Sequence, residues 1–164
     1  GFCSAVFVSS AQESVRLGMP VSEADLAGFD LIAEPSGVGL PSGSGTAAQG
    51  KTIFESRCAA CHGLNGEGNS AATILVGGDM QSEESPLRTV GSYWPYASTV
   101  FDFIRRAMPA DAPKSLSDEE AYQVAAYVLY LNGLVGENEV LNAKTLPQVR
   151  MPNADGFIDQ SDIQ

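Results

Sequence analysis

One histidine and three cysteines are all that 164 residues offer of imidazole and thiol side chains. That scarcity excludes a site built from two imidazoles of this chain and leaves no histidine for a separate acid–base pair. Basic residues are scarce too: 9 Lys and Arg stand against 20 Asp and Glu, for a net charge of −11. Nucleic acid and anionic lipid both demand a positive footprint, so neither is expected as a partner. An acidic surface suits either simple solubility or a salt-sensitive encounter with a positively charged protein. No apolar run reaches the length of a membrane span. No alternating apolar run is long enough to predict a sheet. What remains is an ordinary globular balance, 44% hydrophobic and 18% charged, in a chain long enough for one domain with a real core.

Along the chain the first stretch, residues 1–11 (GFCSAVFVSSA), is apolar and uncharged and ends in small residues. It is expected to be the tail of a secretory signal peptide cut after Ala11, which would remove Cys3 and place the mature chain in the periplasm. A lipid or membrane anchor is the rival reading. Residues 12–45 read as an irregular N-terminal extension with one short helical turn capped by Ser22. Its Gly- and Pro-rich end, residues 35–45, is a linker or a strap over the domain.

Residues 46–134 carry the helical patterning. Thr46 and Gln49 form a capping-box pair, predicting a helix to about Arg57 with Gly50 and Phe54 on one face. A second helix is predicted over 97–107, stopped by Pro109, with Val100, Phe101 and Ile104 turned inward. Ser117 and Glu120 open a third, in which Ala121, Val124, Ala125, Val128 and Leu131 recur at helical spacing before Gly133. Tyr127 and Leu131 are the expected partners of the Gly50–Phe54 face. Residues 135–164 read as a C-terminal extension, its last part acidic and either surface-lying or partly disordered. The prediction is an all-α domain of three to five helices joined by long loops.

Two of the cysteines and the only histidine fall within five residues, Cys58-Ala59-Ala60-Cys61-His62. Cys-x-x-Cys-His is the attachment pattern of c-type haem. Two thiols reach the two vinyl groups on one porphyrin edge, and the adjacent imidazole comes under the iron. The haem would then supply the core that the long loops lack. A thioredoxin-like pair needs a βαβ context, which is missing. A zinc site needs further ligands, which the sequence does not supply.

With one histidine the sixth position falls to methionine, water, an unusual residue or nothing. Met108, between the second and third helices and before Pro109, is the first choice; Met151, also before a proline, is the second. Met19 and Met80 read as packing residues. The expected cofactor is one covalent haem c tethered by Cys58 and Cys61, with His62 and, as first choice over Met151, Met108 as iron ligands. Two filled axial positions favour an electron carrier over an enzyme. The alternative is a catalytic or gas-sensing haem with an open sixth position, against which stands the absence of a second histidine. Gly63-x-x-Gly66-x-Gly68 reads as a turn rather than a phosphate loop. Tyr93, Trp94 and Tyr96 are expected along the haem edge, chiefly as packing, with the Trp94 N–H, a tyrosine hydroxyl or Arg88 able to reach a propionate.

Beyond the haem motif, Thr89-Val-Gly-Ser-Tyr-Trp-Pro-Tyr-Ala97, Arg105-Arg-Ala-Met-Pro109 and Ala125-Ala-Tyr-Val-Leu-Tyr-Leu-Asn132 resemble a specific group of class I cytochromes c. The resemblance extends to Leu17-Gly-Met-Pro20, Gly39-Leu-Pro-Ser-Gly-Ser-Gly45 and Met151-Pro-Asn153. The chain is similar to the cytochrome subunits of bacterial molybdenum-dependent sulfite and sulfane dehydrogenases, including that of the Sox sulfur-oxidising system. The resemblance implies a class I cytochrome c fold and supports His62 and Met108 as axial ligands. It also implies a haem reduced by a molybdenum enzyme and reoxidised by another cytochrome. The Sox subunit is typically a longer chain with two haems, whereas this sequence has a single haem motif.

Overall fold

A computed structural model describes residues 18–83 and 86–158. The segment 1–11 with Cys3, expected to be a signal-peptide remnant, and the end of the acidic tail from residue 159, lie outside the described residues. The chain divides into two units, residues 1–30 and 31–164. In the first, α1 (Glu23–Leu26) begins where expected. The Ser22 hydroxyl accepts from the Asp25 N–H at 3.3 Å, and the Asp25 carboxylate accepts the Ser22 N–H at 3.0 Å.

The second unit is helical. Its elements are β1 (Ser44–Gly45), α2 (Ala47–Arg57), α3 (Ala59–His62), α4 (Ala97–Ala107), α5 (Asp118–Leu131) and β2 (Leu141–Asn142), followed by a 3₁₀ turn at Leu146–Gln148. α2 and α5 both start in capping boxes, Thr46 with Gln49 and Ser117 with Glu120. Each satisfies backbone N–H groups that a helix start would otherwise leave open. α4 ends at Met108, whose extended backbone (φ −117°, ψ 149°) leads into Pro109. Five α-helices are present among the described residues, and none of them is long and apolar enough to cross a membrane.

α2 and α5 are the central pair. Gly50 is buried where the helices cross, and a methyl added there would run into the Gln123 carbonyl and come within 3.0 Å of Tyr127 Cβ. One turn on, the Phe54 and Tyr127 rings pack with centroids 5.2 Å apart. α4 joins from the other side through Phe101 and Tyr122, 4.3 Å apart. Val100, Phe101 and Ile104 are all buried, as the spacing predicts.

The segments without pattern are not loose. Residues 31–45 form a strap. Asp102, buried on α4, accepts the Ala33 N–H at 2.9 Å while holding Arg106 in a bidentate pair. The Ser98 hydroxyl donates to Pro35 O at 3.3 Å and the Tyr122 hydroxyl to Pro41 O at 2.9 Å. Burial pushes the Tyr122 hydroxyl up to about 12, so it remains a donor across the physiological range. The strap ends in a short antiparallel pair, Ser44 opposite Asn142 and Gly45 opposite Leu141. This two-residue ladder is a strand pairing that periodicity could not reveal.

Past α5 the chain returns across the domain. Leu141, Leu146 and Met151 are fully buried, and Asn153 Nδ2 donates to Tyr93 O at 2.7 Å. The three apolar residues are spaced by five, which matches neither helix nor strand.

Two outcomes follow. Gly50→Ala should destabilise the full chain by about 2–3 kcal/mol, because backbone rather than a flexible side chain stands in the way; denaturant unfolding measures it. Glu120 is held below its ordinary 4.5, first by the Ser117 N–H and then by the Ser117 hydroxyl. With the folded value lowered, its contribution is fully present above the unfolded value and fades as pH falls through the folded one. Glu120→Gln should therefore cost about 0.5–1 kcal/mol near neutrality and converge with the wild type as pH falls through the lowered folded value. Unfolding curves at several pH values test that.

Candidate haem site

α2 delivers the chain into Cys58, where the helix closes with the Cys58 N–H on Phe54 O at 2.8 Å. The single turn α3 then presents Cys61 and His62 before Gly63, whose φ of +79° turns the chain out of the helix. Cys58 is half-buried, Cys61 is exposed, and no disulfide joins them. Burial pushes the Cys58 thiol up to about 11, partly offset by the Arg57 guanidinium. That is the opposite of the depressed thiol a dithiol redox pair relies on.

Residues 63–78 fold back over α3. The Gly68 N–H donates to His62 O at 2.7 Å, Asn69 Nδ2 to Ala60 O at 3.0 Å, and the Leu75 N–H to Gly66 O at 2.8 Å. The result is that Thr73 O lies 3.1 Å from His62 Nδ1. A carbonyl only accepts, so Nδ1 carries the proton and Nε2 keeps a lone pair free for a metal. Sequence reasoning missed this partner. A backbone carbonyl has no residue signature, and nothing in the pattern singled out Thr73.

Cys58, Cys61, His62 and Met108 all open on one cavity of about 850 Å³. That lies within the range of cofactor pockets, about 300–1,000 Å³. Its walls are Phe54 from α2, Val100 and Ile104 from α4, Val124 and Val128 from α5, and Leu75, Val90 and Leu116 from the loops. Met108 enters from the extended residue after α4, followed by Pro109, with a cis peptide between them. Arg57 and Arg88 supply positive charge at the lining, and Arg57 also donates to the Ser115 hydroxyl.

Two thiols, one imidazole with a free Nε2 and one thioether, in a largely apolar cavity, form a donor set that fits haem c. Met108 is the methionine lining this cavity among the described residues of the unit. Met151 is buried in the core instead, at 1% exposure. Met80 sits half-buried in a turn, and Met19 is exposed in the 1–30 unit. Of the aromatic run, Trp94 lines the cavity and meets Phe103 edge-on at 5.6 Å. Tyr93 and Tyr96 do not line it. Tyr93 instead lies under Arg88, 5.2 Å from its guanidinium, and against Phe157. The turn at 89–93 that leads into this run is closed by the Tyr93 N–H on Thr89 O at 3.0 Å.

Comparison with known proteins agrees with this geometry. Residues 45–128 match the family model described as cytochrome c oxidase, cbb3-type, subunit III. The chain is 31% identical over 128 residues to a thiosulfate dehydrogenase of Allochromatium vinosum, covering 75% of this chain and 42% of that protein. It is 35% identical over 88 residues to a thiosulfate dehydrogenase of Stutzerimonas stutzeri, covering 54% and 28%. It thus spans less than half the length of these curated relatives. Among solved structures, a chain in the crystal structure of the sulfane dehydrogenase SoxCD from Paracoccus pantotrophus is similar with a TM-score of 0.82. The two are 38% identical, and the match covers 92% of this chain and 76% of that one. The family match begins in β1, encloses the turn at 58–62 and ends inside α5, and on it this chain belongs to the c-type cytochromes.

Proposed function

We propose that this chain is a periplasmic monohaem cytochrome that carries single electrons, as the electron-accepting subunit or partner of a molybdenum-dependent sulfite or sulfane dehydrogenase. One observation carries the reading: the thiols of Cys58 and Cys61, the His62 imidazole and the Met108 thioether converge on one apolar cavity. Bound there, haem supplies the couple Fe(III) + e⁻ ⇌ Fe(II).

The chain's own residues do the rest. Cys58 and Cys61 tether the porphyrin edge. His62, its Nδ1–H committed to Thr73 O, offers Nε2 to the iron. Met108 offers a neutral thioether, which favours the reduced metal. Val100, Ile104, Val124 and Val128 exclude water from the same space. Arg57 and Arg88 suit the two propionate carboxylates. With His62 and Met108 both holding the metal, no site for a substrate would remain there, and partners would need only approach closely. The acidic surface, net −11, favours a basic docking partner and fast, salt-sensitive association. Support for a sulfur-oxidising donor comes from the likeness to a chain of a sulfane dehydrogenase.

A second reading has its own support, since the curated relatives are named thiosulfate dehydrogenase. In it the chain is part of a catalytic haem enzyme with an exchangeable sixth position.

Met108→Ala separates ligation states. The oxidised wild type should show a near-infrared sulfur-to-iron band and the reduced form should ignore carbon monoxide. The variant should lose the band, bind carbon monoxide and fall in potential by on the order of 0.1–0.2 V, part of the ~0.8 V range that axial ligands span. An unchanged potential and continued inertness would remove Met108 from the metal. The donor is tested by following haem reduction with thiosulfate alone, and then with sulfite plus a molybdenum sulfite dehydrogenase. Reduction only in the second mixture, slowing steeply with ionic strength, is expected of the carrier. Prompt reduction by thiosulfate alone would favour the catalytic reading.

A further inference from the structure

We infer that Asn132 is a positioning residue for the His62 imidazole, clamping from the end of α5 the backbone segment whose Thr73 carbonyl orients the ring. The inference rests on the reading of His62 as an iron ligand.

Asn132 stands just past α5 and does not line the haem cavity. Its amide is nonetheless fully used. Nδ2 donates to Val128 O at 2.9 Å and to Leu75 O at 3.2 Å, while Oδ1 accepts the Gly77 N–H at 3.1 Å. The first bond is a local helix cap. The other two cross more than fifty residues of sequence and grip a segment that has no helix or strand of its own.

That segment matters because of what precedes it. Thr73, Ile74 and Leu75 line the cavity, and Thr73 O, two residues before the clamped Leu75, accepts the His62 Nδ1–H at 3.1 Å. The position of that carbonyl sets the plane of the ring and how strongly Nδ1–H is held. Both tune how well Nε2 donates to a metal.

A third element closes the clamp. The Thr89 hydroxyl donates to Gly77 O, so the Gly77 residue is held at its N–H by Asn132 and at its carbonyl by Thr89. Thr89 is buried, as is Ser92, whose hydroxyl is bonded by the Thr89 N–H at 2.9 Å. Gly91 backs onto the Asn132 amide, and a methyl on it would overlap Oδ1 and sit 2.7 Å from Cγ. Two runs singled out in the sequence, 89–97 and 125–132, therefore meet at one loop whose other end carries the acceptor for His62. A packing residue would not need both donors and the acceptor aimed at backbone groups of another segment.

The test uses the haem-loaded full chain and follows solvent exchange of the His62 Nδ1–H by NMR, beside backbone amides of Phe54 and Val124 as core reporters. Asn132→Ala removes the clamp, and Gly91→Ala displaces it from a different element. Both should speed Nδ1–H exchange about tenfold while the core amides keep their rates. Wild-type Nδ1–H exchange in both variants, or equal acceleration at the core amides, overturns the positioning role and leaves His62 ligation intact. A wild-type spectrum without a hyperfine-shifted His62 ring overturns the ligand reading itself, and this inference with it.

Discussion

The close approach of α2 to α5 at Gly50 is the constraint on which the rest of the domain depends. Where a side chain would stand, the Gln123 carbonyl stands instead. The two helices can therefore touch backbone to backbone, and the next turn is filled by Phe54 against Tyr127. This contact decides where α2 ends. It sets Cys58, Cys61 and His62 against the apolar face of α5 at Val124 and Val128, and thereby defines one side of the cavity. A bulkier residue at Gly50 would move the cysteines and the imidazole together, since all three follow from the same helix end.

The remaining architecture is held by polar side chains gripping backbone. Asp102 and Tyr122 hold the strap, Asn153 holds the turn after Tyr93, and Asn132 holds the loop beside His62. Such bonds compensate for the small amount of regular structure, because buried backbone groups need partners whether or not a helix supplies them. Arg105 adds a cross-link of this kind. It pairs with Asp118 at 2.7 Å and donates to Leu31 O at 3.3 Å, tying the end of α4 to the start of α5 and to the strap. Met108 leaves from that braced end. The cavity is thus bordered by two anchored stretches, one carrying the cysteines and histidine and the other the methionine.

Legibility in the sequence tracked the range of the interactions. α2 and α5 were readable almost to the residue because the caps Thr46 with Gln49 and Ser117 with Glu120 act within one turn, and α4 through its inward residues and the stop at Pro109. The buried trio Leu141, Leu146 and Met151 was not readable as core. Their regular spacing of five residues matches neither the helix nor the strand period, so it carries no signal. The aromatic run was half-readable: Trp94 reached the cavity, while Tyr93 turned to Arg88 and Phe157.

By itself the sequence determined the helix boundaries, the side chains that can hold a haem and the acidic character of the surface. Each of these is a property of residue types a few positions apart. Only the tertiary structure decided that Met108 opens on the cavity while Met151 packs in the core. It alone also decided that residues 31–45 are a strap and that Thr73 O receives the His62 proton. The physical reason is common to all three. They depend on which backbone groups meet across dozens of residues, and backbone carbonyls and amides are alike at nearly every position until the chain has folded.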